Sequence, residues 1–151
     1  MARPSDLGDP FNLDRFIQAQ AQAYAGALRE LESGRKQGHW IWFVFPQIAG
    51  LGSSSMNRLY AIASVAEARA YLDHPVLGPR LRTCVDTVNA HAGRSARAIF
   101  GHDDIKFRSS LTLFAQAAPD EPRFALALAN FFGGEPDPAT LQKMGTHGRG
   151  S

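Results

Sequence analysis

The chain of 151 residues holds a single cysteine, Cys84. That excludes an internal disulfide and any thiolate metal cluster. Cys84 recurs with Leu77, Leu81 and Val88 at helical spacing, which predicts a buried, inert thiol rather than a nucleophile. No run of eighteen apolar residues is present to cross a membrane, and the first residues lack an apolar secretion signal, so the expected location is the cytoplasm. Net charge is only +2, from 16 Lys and Arg against 14 Asp and Glu, and the cations are scattered rather than striped. Nucleic acid is therefore not an expected partner. Sustained alternation of β-branched residues is missing, and so is any internal repeat. There is no phosphate-binding Gly-rich loop ending in Lys-Ser/Thr, no G-x-S-x-G and no H-E-x-x-H. The histidines, His39, His74, His91, His102 and His147, never fall at the spacing that puts two ligands on one helix face. No metal site and no cofactor are expected, and oligomeric state is not legible.

What is present is helical periodicity, at a length suited to one core. The reading is a mainly α, compact, irregular single-domain bundle of about eight short helices around a central aromatic segment. Residues 1–11 are expected to be an irregular lead-in, 12–144 the domain and 145–151 a frayed tail. Asn12 is the expected N-cap of a first helix running to about Glu32 and stopped by Ser33-Gly34. Later helices are expected at 56–63; from the capping box Ser64-Val65-Ala66-Glu67 to about Asp73; at 76–90; from Asp103 or Asp104 to about Ala118; from Pro122 to Gly133; and from the Asp137-Pro138 cap to Met144.

The centre is His39-Trp40-Ile41-Trp42-Phe43-Val44-Phe45-Pro46-Gln47. Its apolar residues point in every direction, so it belongs inside the domain, and Pro46 limits its helical length. Val44 and its neighbours also suit one buried strand, for which no partner is evident. The two indoles cannot share a helix face, so one is expected to pack centrally while the other lines a cleft. Gln20 interrupts the apolar stripe of the first helix. A buried, unpaired amide costs about 1–3 kcal/mol, so Gln20 must bond to backbone or to ligand.

Three segments carry candidate chemistry. Lys36, His39, Trp40, Trp42 and Gln47 bring together a cation, an imidazole, two indoles and an amide. Gly50-Leu51-Gly52-Ser53-Ser54-Ser55 is a flexible loop before a helix start, with Ser53 a candidate anion contact. Asp103, Asp104, Lys106, Ser109, Ser110 and Thr112 place polar groups along a helix that must pack well, as close-packing residues or as a ligand-facing stripe. Arg80 is a further candidate clamp for a carboxylate or phosphate.

The blocks Asn12-Leu13-Asp14-Arg15-Phe16, Gly38-His39-Trp40-Ile41-Trp42-Phe43-Val44-Phe45-Pro46-Gln47, Gly50-Leu51-Gly52-Ser53, Tyr71-Leu72-Asp73-His74-Pro75-Val76-Leu77-Gly78 and Lys106-Phe107-Arg108-Ser109-Ser110-Leu111-Thr112-Leu113-Phe114 together resemble the domain-of-unknown-function 1810 family, from about residue 10 to 144. The resemblance implies a compact, mainly helical structure and supplies no activity. Some members carry the label calpastatin; a calpain inhibitor of that kind is a polar, disordered chain, the opposite of this aromatic one. The helical plan and the Lys-Phe block also resemble small helical N-glycosidases acting on ADP-ribosyl derivatives.

Two functions follow as expectations. In the first, the chain hydrolyses an N-glycosidic bond of a nucleotide-like or ADP-ribosyl substrate. His39 is then the general acid, Asp103 or Asp104 stabilises the developing cation, and Lys106 or Arg80 binds phosphate. Gln20, Lys36, Trp40, Trp42, Gln47, Ser53, Ser109 and Ser110 complete the ligand site. In the second, the same residues bind a small molecule or a protein without turnover. Either way, His39 and Gln47 are expected to meet Gln20 and the Lys106 helix at one edge of the core.

Overall fold

The computed structural model describes residues 8–148. The first helix, α1, spans Asp14–Ser33 and buries Phe16, Gln20, Ala27 and Leu31. Its cap is not Asn12, which turns into the left-handed region at φ 52°. Asp9 does the capping instead, its carboxylate accepting from the amides of Leu13 (2.7 Å) and Asp14 (2.8 Å). Gly34, at φ 78°, closes the other end, where a residue with a Cβ would be strained.

The aromatic segment makes a single helical turn, α2, Ile41–Val44. Pro46 then forces the chain straight, and Ile48 forms a parallel bridge with Ile62. Ile62 N–H donates to the Gln47 carbonyl and Ala49 N–H to the Ile62 carbonyl, both at 2.8 Å. Ile62 is thus the partner that local pattern did not reveal. Because Ile62 is extended, the helix expected at 56–63 shortens to α3, Ser55–Leu59, capped by Ser54. Arg15 holds this return stroke against α1, donating to the carbonyls of Leu59 and Ala61 and pairing with Glu67 at 2.7 Å.

The capping box is real: Ser64 Oγ accepts from Glu67 N–H and Glu67 Oε1 from Ala63 N–H, opening α4, Val65–Asp73. The next helix, α5, Leu77–Asn89, buries Leu77, Leu81, Cys84, Val85 and Val88. It lies so close to α4 that a Cβ on Gly78 would sit 2.0 Å from the Leu72 carbonyl oxygen. Then follow α6, Ala96–Phe100, a 3₁₀ turn at Gly101–Asp103, α7, Asp104–Ala117, and α8, Pro122–Phe132. The last helix, α9, Pro138–Gly148, continues past the expected end at Met144. Residues 1–7 of the expected lead-in and 149–151 of the expected tail lie outside the described residues.

The architecture is mainly α, and among the described residues the Ile48–Ile62 bridge is the only β pairing. No described helix is long and apolar enough to cross a membrane. The core centres on α7, which packs on α2, α4, α8 and α9. Phe107 stacks on Phe100 at 4.3 Å between centroids and meets Phe45 edge-on at 5.0 Å. Phe16, Phe45, Phe107, Phe114 and Phe124 are wholly buried. Each such ring truncated to alanine costs about 3–5 kcal/mol, which makes this aromatic cluster the main hold on α2.

Candidate functional site

The two ends of the aromatic segment differ. At its N-terminal end Glu30, Lys36, Trp40 and Asp103 spend their polar groups on one another and on the backbone. Glu30 Oε1 accepts from the amides of Gln37 and Gly38 and from the Trp40 indole at 2.7–2.9 Å. Burial alone would push the Glu30 carboxyl up, but these donors and the Lys36 charge hold it below its ordinary value. Lys36, nearly buried, pairs with Asp103 at 2.7 Å, donates to the Gly38 carbonyl and lies 5.0 Å over the Trp40 ring. Lys106 takes the other Asp103 oxygen at 3.2 Å. Burial raises the Asp103 carboxyl and the two lysines more than reverse it, so it stays ionised and doubly paired.

Gln20 is equally committed. Its Nε2 donates to the Phe43 carbonyl (2.7 Å) and Tyr71 Oη (3.1 Å), and its Oε1 accepts from Arg80 (3.3 Å). Backbone and side chains, rather than a ligand, answer its buried amide. Arg80 also lies 4.7 Å over the Tyr24 ring, beside Cys84. Burial pushes that thiol up to about 12, against the lowering influence of Tyr24 and Arg80.

The C-terminal end of the segment is open. Gln47 is buried to 8% exposure, yet its side-chain amide has no hydrogen-bond partner among the described residues. It lines two adjoining concavities, which also share Leu51, Gly52 and Asn57. The inner one, about 470 Å³ including space open to solvent, is walled by Trp42, Ile48, Met56, Tyr60 and the Gly50–Gly52 loop, with Arg58. The outer one, about 720 Å³ on the same basis, adds His102, Ile105, Lys106, Ser109, Asp137 and Ala139. Trp42 is therefore the indole on the cleft, while Trp40 is core. Trp42 Nε1 is itself sealed from solvent with no partner among the described residues.

Local structure explains how these groups arrive. The Ile48–Ile62 bridge fixes the floor beside Gln47. A Cβ at Gly52 would come within 2.5 Å of the Asn57 amide, so glycine there lets the loop lie against α3. Asp137 caps α9, its Oδ2 accepting from Thr140 N–H (3.2 Å), Thr140 Oγ1 (2.6 Å) and Ser109 Oγ (3.0 Å). Thr112 Oγ1 accepts from Asp137 N–H at 2.9 Å. The polar stripe of α7 thus divides. Ser109 and Thr112 dock the α9 cap, while Ser110 is buried with a hydroxyl that has no partner among the described residues.

Of the predicted residues, the groove collects Trp42, Gln47, Lys106 and Ser109. Lys36, Trp40 and Asp103 form the closed cluster next door. Asp104 instead accepts from Ile105 N–H and faces Arg97 at 3.7 Å. His39 and Ser53 are exposed and line neither concavity. Of the expected meeting of His39 and Gln47 with Gln20 and the Lys106 helix, Gln47 and Lys106 share the outer concavity, while Gln20 bonds to Phe43, Tyr71 and Arg80 and His39 lines neither concavity. Sequence reasoning did not place Asn57, His102 or Asp137 in the groove. Only Asp137 had a local signal, its cap, and that signal says nothing of the cleft. Among the described residues no three His, Cys, Asp or Glu side chains are grouped to hold a metal ion.

Comparison with known proteins gives two matches. The family model described as a protein of unknown function, DUF1810, matches residues 10–144. The chain is also similar to the crystal structure of the conserved hypothetical protein Rv1873 from Mycobacterium tuberculosis, at 50% identity over 91% of this chain and 99% of that one, with a TM-score of 0.89. No curated protein matches.

Proposed function

The chain belongs to the DUF1810 family, whose description assigns no function, and on that footing we propose from the site alone that the groove along Gln47 binds a small, nucleotide-like molecule. One observation carries this reading: Gln47 is a buried residue whose amide has no hydrogen-bond partner among the described residues and opens onto both concavities. The amide reaches solvent in the groove; a ligand that covers it without offering donor and acceptor would leave it unmatched at a cost of about 1–3 kcal/mol, and one that offers both avoids that cost. The Trp42 ring, Ile48, Met56 and Tyr60 offer apolar surface for a flat ring. The binder works in the cytoplasm in this proposal, where a lone reduced cysteine is ordinary.

A second reading, hydrolysis of an N-glycosidic bond, is favoured by the outer concavity, where Asp137, Lys106 and His102 meet. Asp137 Oδ1 carries no hydrogen bond among the described residues. In that reaction the carbon–nitrogen bond breaks with its electron pair going to the leaving base. Asp137 stabilises the positive sugar, and water adds to the anomeric carbon. The water's proton passes by way of Asp137 to solvent, and His102 protonates the base. Asp137 here replaces Asp103 and Asp104, and His102 replaces His39, because the groove holds the former and not the latter.

Thermal-shift measurement with nucleosides, nucleotides, ADP-ribose and nicotinamide tests the binding reading. A true ligand at ten times its Kd is expected to raise Tm by about 3–5 °C. Absence of any shift across the set would sink it. Chromatography of the reaction mixture then separates binder from hydrolase: the second reading expects released base, abolished in Asp137→Asn.

A further inference from the structure

We infer that Gln47 is the specificity-determining residue of the groove and that it reads an amide or lactam edge, a carbonyl beside an N–H, on a neutral ring. The inference rests on the small-ligand reading above and goes further by assigning the chemistry that is recognised.

A carboxamide presents one acceptor oxygen and one donor nitrogen in a single plane. In Gln20 both are used inside the core, the nitrogen on the Phe43 carbonyl and Tyr71, the oxygen on Arg80. In Gln47 neither is used among the described residues, although the residue is also buried. A ligand carbonyl alone would satisfy Nε2 and leave Oε1 bare. An N–H alone would do the reverse. A carbonyl next to an N–H satisfies both at once, and this is the edge of a primary carboxamide or of a ring lactam.

Charge narrows the choice. Among the described residues no carboxylate lines the inner concavity, so nothing there pairs with a cation. Its one cationic lining residue, Arg58, has an exposed side chain. An anion placed against Gln47 would face the amide oxygen and an apolar wall of Ile48, Leu51 and Met56, where burying an unpaired charge is far costlier than burying a neutral amide. Lys106 lies in the outer concavity, already shared with Asp103, and Asp137 stands in the same concavity. That mixture suits hydroxyl groups of a ring substituent better than a phosphate.

Calorimetric titration of the full chain with matched pairs tests this: inosine against purine riboside, and nicotinamide against pyridine. Each first member has the carbonyl and N–H edge; each second member keeps the ring and lacks it. At least one edge-bearing probe is expected to bind tenfold or more tighter than its partner. Gln47→Met, which keeps the side-chain volume, is expected to erase that preference while changing the affinity of the edgeless probe less than twofold. Equal binding of both members of each pair to the wild type overturns the inference and leaves the groove reading standing. So does a preference that survives in Gln47→Met. If no probe binds the wild type, the inference fails, and the thermal-shift set shows whether the groove reading fails with it. The wild-type comparison needs no variant, so a poorly folding Gln47→Met does not rescue the idea.

Discussion

Gln20 and Gln47 are both buried, both border the aromatic segment, and stand in opposite circumstances. Gln20 joins four elements, α1, α2, α4 and α5, through Phe43, Tyr71 and Arg80. Gln47 joins nothing through its side chain among the described residues and opens onto a cleft. The same side chain is thus a structural clasp in one place and an unspent recognition group in the other. What separates them is the presence or absence of partners on every side, a tertiary property. The wider contrast follows the same line. The Lys36–Trp40 end of the segment is closed by Glu30 and Asp103, while among the described residues the Gln47–Gly52 end is closed by no comparable ion pair.

The contrast breaks first if Gln20 proves dispensable. Gln20→Met leaves the Phe43 carbonyl, the Tyr71 hydroxyl and part of Arg80 unmatched in the core, and is expected to cost about 2–4 kcal/mol in urea denaturation. A loss below about 1 kcal/mol would mean that the network is ornamental. Next comes Asp137→Ala, which removes an N-cap together with the Ser109 bond and is expected to cost about 1–2 kcal/mol by the same measurement. Acid response then sharpens the closed end. Glu30 and Asp103 titrate lower in the fold than in the unfolded chain, so their stabilisation is complete above about pH 4.5 and is lost as pH falls through their folded values. Glu30→Gln and Asp103→Asn are expected to flatten the decline of Tm below pH 4.5, and an unaltered slope would remove these pairs from the account. The smallest effect belongs to Gln47→Met, expected within about 0.5 kcal/mol of wild type because no internal bond is lost. A large loss there would show Gln47 to be a second clasp.

Legibility in the sequence followed the range of the interaction. The Ser64 to Glu67 box, the Gly34 stop, Pro122 at a helix start and the Asp137 cap are each decided within a few residues, and all stand where local pattern put them. The need for Gln20 to find partners was readable from its place on an apolar stripe, but their identity was not, since Tyr71 and Arg80 are 51 and 60 residues away. The Ile48–Ile62 bridge escaped for the same reason, and with it the true length of α3. Asn12 failed as a cap because Asp9, three residues earlier, reaches the same amides with a carboxylate. In the site, Trp42, Gln47 and Lys106 were legible as polar or amphipathic groups among apolar ones. His39 carries the same signal and is exposed, because a residue just outside a helical turn points wherever the preceding loop sends it.

Cys84 has one more consequence. It is the only thiol, fully buried in α5 against Tyr24 and Arg80, with its ionisation pushed to about 12. A disulfide reagent can therefore reach and react with it only in molecules whose α1–α5 contact has parted. The colour released by such a reagent becomes a clock for that opening, running in unaltered protein without any label. A ligand seated at Gln47 slows the clock only to the extent that the groove and the α1–α5 contact open together.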